Sequence, residues 1–473
     1  KSYVPTPANT TSMYQTAYSW TNSVSMPHDM KAATNEKAIE QLAPPAVVVI
    51  PMSMHFGAPC TPLVKAGDHV KVGQKIGEFH GLGAPIHASV SGTVKAVEPR
   101  PYSMGGNITS VVIENDMQDE VSEEVQAPAD PNALSVEEMV EIVKNAGIVG
   151  MGGATFPTHV KITSGIGKVN TVIINGAECE PYITGDHRTM LERPEEIIGG
   201  AKFLAKMFGV DKVVIGVEDN KRNGIDAMNK VIAEQKAPVV VEPLRCRYPQ
   251  GGEKQLCQAI TGRQVPPGGL PADIGCAVFN INTTCAIYRA LTTGMPVVRK
   301  IVTVSGSGVV EPKNLECPIG TPVSNLLDAC GGLKDGTYKL IAGGPMMGMA
   351  QYTADISVAK GTGAILAFCE NEEKTVENPQ CIRCGKCVSV CPMHLEPLFM
   401  YQYASKGMVE ELNDAHIMDC MECGACSYIC PARMHLTHMF KTGKQLVKDK
   451  AAADRAAAEA KKKAEEAKEA AAK

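Results

Sequence analysis

CIRCGKCVSVCP at residues 381–392 and CMECGACSYICP at residues 420–431 repeat one spacing, C-x2-C-x2-C-x3-C-P. Three thiolates two residues apart can wrap three corners of an iron–sulfur cube, while a fourth, set off by three residues and followed by proline, reaches a neighbouring cube. The doubled run therefore predicts two 4Fe-4S clusters with exchanged ligands: Cys381, Cys384, Cys387 and Cys430 for one, and Cys420, Cys423, Cys426 and Cys391 for the other. Four thiolates also suit structural zinc, but zinc sites usually show paired C-x2-C knuckles rather than a triple closed by Cys-Pro. Between the runs, LFMYQYASKGMVEELNDAHI at 398–417 has helical rather than alternating spacing, so residues 369–448 read as a mainly helical, ferredoxin-like domain.

Beyond the cysteine runs, 473 residues leave room for roughly three or four domains of about 100–200 residues. A net charge of −5 provides no basic field for nucleic acid, which is excluded as a partner. No apolar stretch reaches the length of a membrane span, and residues 1–30 lack the basic start and apolar core of a signal peptide. Of the 17 cysteines, the nine outside the two runs are scattered without a disulfide framework, which fits a reducing compartment, the cytoplasm or a membrane face of it.

Residues 1–45 are polar and rich in Ser, Thr, Asn and Pro, and read as an extended arm that borrows its order from elsewhere and carries no site. Residues 46–115 change to short Val-rich strands broken by glycine turns, as in AVVVIPM (46–52) and ITSVVIEN (108–115). The hairpins at 64–78 and 84–97 resemble the halves of a lipoyl-like barrel-sandwich domain. The stretch between them, FHGLG, has no carrier lysine, so a structural role is expected rather than a swinging arm. Residues 116–132 are acidic with two prolines and read as a linker.

Residues 133–299 alternate strand and helix. Ser135 and Glu138 form a capping box ahead of an apolar helical stripe, and then come VNTVIINGAE (169–178), PEEIIGGAKFLAKMF (194–208), DKVVIGVED (211–219), VVVEPLRCRY (239–248) and EKQLCQAIT (253–261). Such alternation predicts a mostly parallel, Rossmann-like α/β sheet, whose ligands bind at the carboxyl ends of the strands, where INGAECEP and RYPQGGE fall. Residues 300–368 are β-rich, with one short helix at SNLLDAC, and look like a β-grasp module; residues 449–473 form an Ala/Lys/Glu helical tail without an apolar face. The whole is a multidomain α/β chain.

GMGGATFPTHVK at 150–161 follows a helix, whereas a dinucleotide fingerprint follows a strand. On these residues alone, a structural turn and a ligand cradle are equally open, since glycine serves both. The pair Glu178 and Glu180 could be solvated turn carboxylates, but its place directly after a buried strand favours a site. Cys179 between them should have a raised pKa and make a poor nucleophile. His55, His69, His80 and His87 are too irregularly spaced for a metal site, and the Met-rich AGGPMMGM reads as packing.

Taken in order, GMGGATFPTHVK, INGAECEP, RYPQGGE and FNINTT resemble the flavin and nicotinamide site of the 51-kDa-type flavoprotein subunit of respiratory complex I. With the sandwich domain in front, PQGGEKQL, the β-grasp module of the SLBB type and the two cysteine runs behind, the chain from about Ala46 to about Lys448 resembles the RnfC family, the C subunits of Rnf ferredoxin:NAD oxidoreductase complexes. That resemblance implies FMN around Gly150, Gly152, Gly153, Lys161, Asn175, Glu253, Asn280 and Thr283, and NAD(H) bordered by Phe156, Glu178, Glu180 and Tyr248. It further implies a peripheral subunit on the cytoplasmic face of the membrane, partnered by an iron–sulfur (B-type) subunit and a membrane core. No catalytic side chain is expected, because the cofactors carry the chemistry. One departure is Ala177, which stands where the complex I pattern has an aspartate reaching the flavin ring. Two other readings share parts of this pattern: the diaphorase subunit of a soluble NAD-reducing hydrogenase or dehydrogenase, and a flavin-less wiring subunit.

Overall fold

A computed structural model describes residues 22–26, 28–370 and 376–471, with side chains as far as Ala464; residues 1–21 of the expected arm lie outside the described residues. The chain divides into two compact units, one holding residues 26–370 and the other residues 22–25 with 376–471.

In the first unit, alternation of apolar and polar residues builds two small antiparallel sheets. One orders its strands Val47–Pro51, Asn107–Asn115, Gly92–Pro101 and His69–Val70, and the other Thr61–Pro62, Lys75–Glu78 and Ile86–His87. Their inward residues, among them Val48, Ile50, Ile76, Ile86, Val111 and Ile113, are fully buried in one core. The acidic stretch expected as a linker is laid along this sandwich instead: Val72 N donates to Glu120 O at 2.8 Å and Ser122 N to Val72 O at 2.9 Å. Backbone pairing holds it there despite its polar composition.

Next comes the four-stranded sheet, with strands ordered Val239–Leu244, Val213–Glu218, Thr171–Gly176 and Cys276–Asn280, all parallel. Both faces are covered by helices, which is why these strands read as nearly unbroken runs of Val and Ile. Helix Val136–Asn145 starts on the Ser135–Glu138 capping box, and helix Pro194–Phe208 has proline in its first turn and Gly209 at φ 64° just past its end. Helices Thr158–Gly165 and Ile281–Thr293 lead out of the glycine loop and the FNINTT stretch respectively.

A six-stranded mixed sheet completes this unit, in the order Glu40–Gln41, Lys313–Pro318, Arg299–Ser305, Ala364–Cys369, Thr337–Ala342 and Met349–Gln351. Helix Val323–Ala329 packs Val323, Leu326 and Leu327 onto Val302, Val304 and Leu315. The outermost strand comes from the end of the arm, with Glu40 opposite Leu315 and Gln41 opposite Glu316.

The second unit is helical: Lys386–Ser389, Pro397–Lys406, Val409–Asp414, Ala425–Ile429 and Leu436–Ala471 enclose Met400, Leu412, Ile417, Leu436 and Phe440. The last helix buries one face, with Leu436, Phe440 and Val447, and is solvent-exposed from Lys448 through Ala464, where it has no apolar face.

Candidate redox sites

Asn175, next to last in its strand, donates Nδ2 to Gly251 O at 2.8 Å and accepts from Ala177 N at 3.1 Å, joining INGAECEP to RYPQGGE. A Cβ on Gly251 would lie 2.2 Å from Ala177 O, so only glycine fits that approach. The glycine loop is closed by Gly150 N to Phe156 O at 2.9 Å and Thr155 N to Gly150 O at 3.0 Å. Thr283 Oγ1 accepts from Met151 N at 2.9 Å, while Lys300 Nζ donates to Met151 O at 2.8 Å. Gly152 and Gly153 remain exposed, Gly153 at φ 118°.

Lys161 lies on the helix that follows. Its Nζ donates to Glu253 Oε1 and to Val278 O, each at 2.9 Å. Asn280 caps helix Ile281–Thr293 by accepting from Asn282 N at 2.9 Å, and donates Nδ2 to Asp186 Oδ2 at 2.7 Å. Together these residues form a glycine backbone without Cβ cover, a held lysine and the amino end of a 13-residue helix at the carboxyl end of a parallel strand. That donor set suits a flavin phosphate and its edge.

Both expected nucleotide carboxylates are engaged within the protein. Glu178 is buried and accepts from Asp186 N at 2.7 Å and His187 N at 3.3 Å, at the start of helix Gly185–Glu192. Burial pushes its carboxyl up to about 7, with Lys31 opposing. Glu180 accepts from Met346 N at 3.1 Å, Met347 N at 3.0 Å and the Tyr248 hydroxyl at 3.5 Å, and burial pushes it up to about 7 as well. The AGGPMMG stretch thus serves Glu180, and a Cβ on Gly344 would sit 2.3 Å from Glu180 Oε2. Tyr248 is buried; Phe156 is half-buried. Cys179 accepts from Gly251 N at 3.3 Å, and its thiol is raised first by burial and then by Glu218, ahead of the adjacent Glu180.

Several residues here were not expected from the sequence. Asp186 is held by Asn280 and by Asn282 Nδ2 at 2.6 Å, and burial raises its carboxyl. Lys31, from the arm, is buried and donates to Glu180 O at 2.8 Å and to Ile183 O. Glu218, the last residue of strand Val213–Glu218, and Lys221 form a buried ion pair at 2.9 Å. Lys300 could have been suspected, as a charge at the head of the apolar strand KIVTV; Lys31 and Asp186 sit in polar stretches that carry no such signal.

In the helical unit, Cys391 lines one pocket with Cys420, Cys423 and Cys426, walled by Leu395, Met400 and Phe440. Burial raises these thiols, to about 11 at Cys420 and about 12 at Cys423 and Cys426, and the nearness of Cys391 adds to each shift. Cys387 is raised by burial too, and there the neighbouring thiols are Cys430 and Cys381. The two loops repeat one backbone. Arg383 N donates to Cys381 Sγ at 3.3 Å and Glu422 N to Cys420 Sγ at 3.4 Å, with φ 56° at both Arg383 and Glu422. Four soft thiols on one pocket, three more of the other set near one another, main-chain N–H groups aimed at sulfur and an apolar wall fit iron–sulfur clusters, whose iron would hold the sulfurs deprotonated.

A flavin-type α/β domain and a doubled cysteine-loop domain on one chain define an oxidoreductase subunit. Residues 143–289 match the Nuo51 FMN-binding domain, 22–118 the RnfC barrel sandwich hybrid domain, 301–350 the SLBB domain and 374–431 the 4Fe-4S dicluster domain. In Acetobacterium woodii, the C subunit of the Na(+)-translocating ferredoxin:NAD(+) oxidoreductase complex is 45% identical over 377 residues, covering 79% of this chain and 85% of that one. The proton-translocating counterpart of Clostridium ljungdahlii is 43% identical over 392 residues, covering 82% and 85%, and the C subunit of the ion-translocating oxidoreductase complex of Rhodobacter capsulatus is 41% identical, covering 78% and 72%. The chain belongs to the RnfC family, the C subunits of the Rnf-type ion-translocating oxidoreductase complexes. Among solved structures, an NAD+-reducing [NiFe]-hydrogenase aligns with TM-score 0.47 at 19% identity, covering 64% of this chain and 63% of that one. Among the described residues no helix is long and apolar enough to cross a membrane.

Proposed function

We propose that this chain passes electrons between NAD(H) and ferredoxin-linked one-electron carriers, as the peripheral, cytoplasmic-face subunit of a membrane-bound Rnf-type complex whose partners are an iron–sulfur (B-type) subunit and the membrane core. Bound in the α/β domain, FMN would supply two-electron hydride exchange with a nicotinamide and one-electron exchange with 4Fe-4S clusters, which carry one electron at a time. Gly150, Gly152 and Gly153 leave the backbone open to the flavin, with Asn175, Asn280 and Thr283 around it. Lys161, anchored by Glu253, brings a fixed positive charge to the amino end of helix Ile281–Thr293, which suits an anionic phosphate. Phe156, Glu178, Glu180 and Tyr248 border the dinucleotide. No residue is needed to move a proton; the chain orients and excludes water.

The observation that carries this reading is the seat of Cys391 among the thiols of the second run, with Cys430 beside Cys387 of the first. Two interlocked ligand sets serve electron relay, where a lone structural ion needs neither. Matured protein should release FMN on denaturation, contain about eight iron atoms, as two 4Fe-4S clusters require, and reduce ferricyanide with NADH. Clusters without flavin or NADH activity would instead select the wiring-subunit reading.

A further inference from the structure

Phe56 is 61% exposed, although its backbone is tied to the site: Phe56 N donates to Thr155 O at 3.0 Å. The turn that presents it is rigid. His55 beneath is buried, with Nε2 2.9 Å from Ala58 O, and a Cβ on Gly57 (φ 136°) would lie 2.0 Å from Leu82 O. The Phe56 ring lies 6.0 Å, centroid to centroid, from that of Phe156, tilted by 35°. This is within the range of aromatic contact, so the two rings make one continuous apolar ledge beside exposed Gly152 and Gly153.

A dinucleotide has two flat rings. Hydride exchange requires the nicotinamide to stack on the flavin, which leaves the adenine to find another flat apolar surface. An exposed phenylalanine on a locked turn, touching the half-buried Phe156, offers one. We propose that Phe56, contributed by the sandwich domain, completes with Phe156 the ledge on which the adenine of the dinucleotide stacks; the proposal rests on the NAD(H) reading above. It gives the sandwich domain a part in substrate binding that its lack of a carrier lysine had left unassigned.

The test uses full-length matured protein with ferricyanide as acceptor and two donors, NADH and reduced nicotinamide mononucleotide, which has no adenine. In Phe56→Ala the ratio of kcat/KM for NADH to that for the mononucleotide should fall about tenfold, the scale of one base–aromatic stack, and ADP-ribose should weaken as an inhibitor in parallel. Phe56→Tyr, which keeps the ring, should hold the wild-type ratio. An unchanged ratio in Phe56→Ala, or equal loss with both donors, overturns the ledge and leaves Phe56 as packing between domains. If the alanine variant fails to retain flavin, the same ratio is read in Phe56→Leu, which keeps bulk without a π face. Wild-type protein inert to both donors would overturn the NAD(H) reading itself, and this proposal with it.

Discussion

Lys300 reaches across 149 positions of sequence to donate its ammonium to the main-chain oxygen of Met151 at 2.8 Å. The lysine is fully buried, and burial lowers its pKa to about 8, with Asp186 opposing the shift. A strand of the SLBB-type sheet thereby holds the glycine loop from beneath, while Thr283 holds it through Met151 N. Lys300→Met should cost about 1–3 kcal/mol of stability, the scale of a buried acceptor left unpaired. It should also speed flavin release, with cluster absorption kept. Calorimetry and flavin dissociation would check this, and unchanged flavin retention would rule out the anchoring role. Arginine should restore little, because its planar fork does not match a single carbonyl in a packed site.

Serine at Cys430 should damage the cluster of Cys381, Cys384 and Cys387, and serine at Cys391 that of Cys420, Cys423 and Cys426. Iron content and electron paramagnetic resonance of the two variants separate these outcomes. Damage confined to the variant's own run would reject the exchanged ligand sets.

Gly153 stands at φ 118°, where a side chain is strained, and no atom lies within 4 Å of the place its Cβ would take. Gly153→Val should therefore abolish flavin retention through backbone strain and by covering the open loop, while the visible absorption of the clusters persists. Loss of both signals together would mean that the loop serves folding alone.

The Glu178 carboxyl is raised from 4.5 to about 7, chiefly by burial. Between these values the native state holds a proton that the unfolded chain has released. Its contribution to stability is therefore complete below pH 4.5 and is lost as the pH rises through about 7, at up to about 1.4 kcal/mol per pH unit. Glu178→Gln, which does not titrate, should flatten the dependence of unfolding free energy on pH across that window. Denaturant melts at half-unit intervals would measure the slope, and an identical slope in the variant would contradict the raised carboxyl.

Much of this architecture is legible locally. Ser135 and Glu138 announce a helix because the two reciprocal bonds they make, Glu138 N to Ser135 Oγ at 3.2 Å and Ser135 N to Glu138 Oε2 at 2.7 Å, lie within one turn. Helices Pro194–Phe208 and Glu253–Thr261 fall on the stretches whose apolar period matches a helix, and the buried parallel strands on runs of Val and Ile. Helix Thr158–Gly165 and strand Cys276–Asn280 are less visible, being short and flanked by Gly, Pro and Thr that read equally as loop.

From the sequence alone came the two cysteine loops and the strand and helix alternation, because ligand spacing and helical or strand period are set by neighbours a few bonds apart; the residues assigned around the glycine loop came from the family resemblance, since glycine spacing by itself reads equally as a turn. Folding decided that Lys31 supports the carbonyls of Glu180 and Ile183, that Asp186 holds Asn280, that Glu40 pairs with Leu315 and that Phe56 meets Phe156. Each of these partners lies 94 or more positions away, and no local periodicity records which distant carbonyl will accept a buried ammonium. That choice follows from the joint burial of the sandwich and the parallel sheet in one core, which brings the polar groups together and leaves them no water to bond instead.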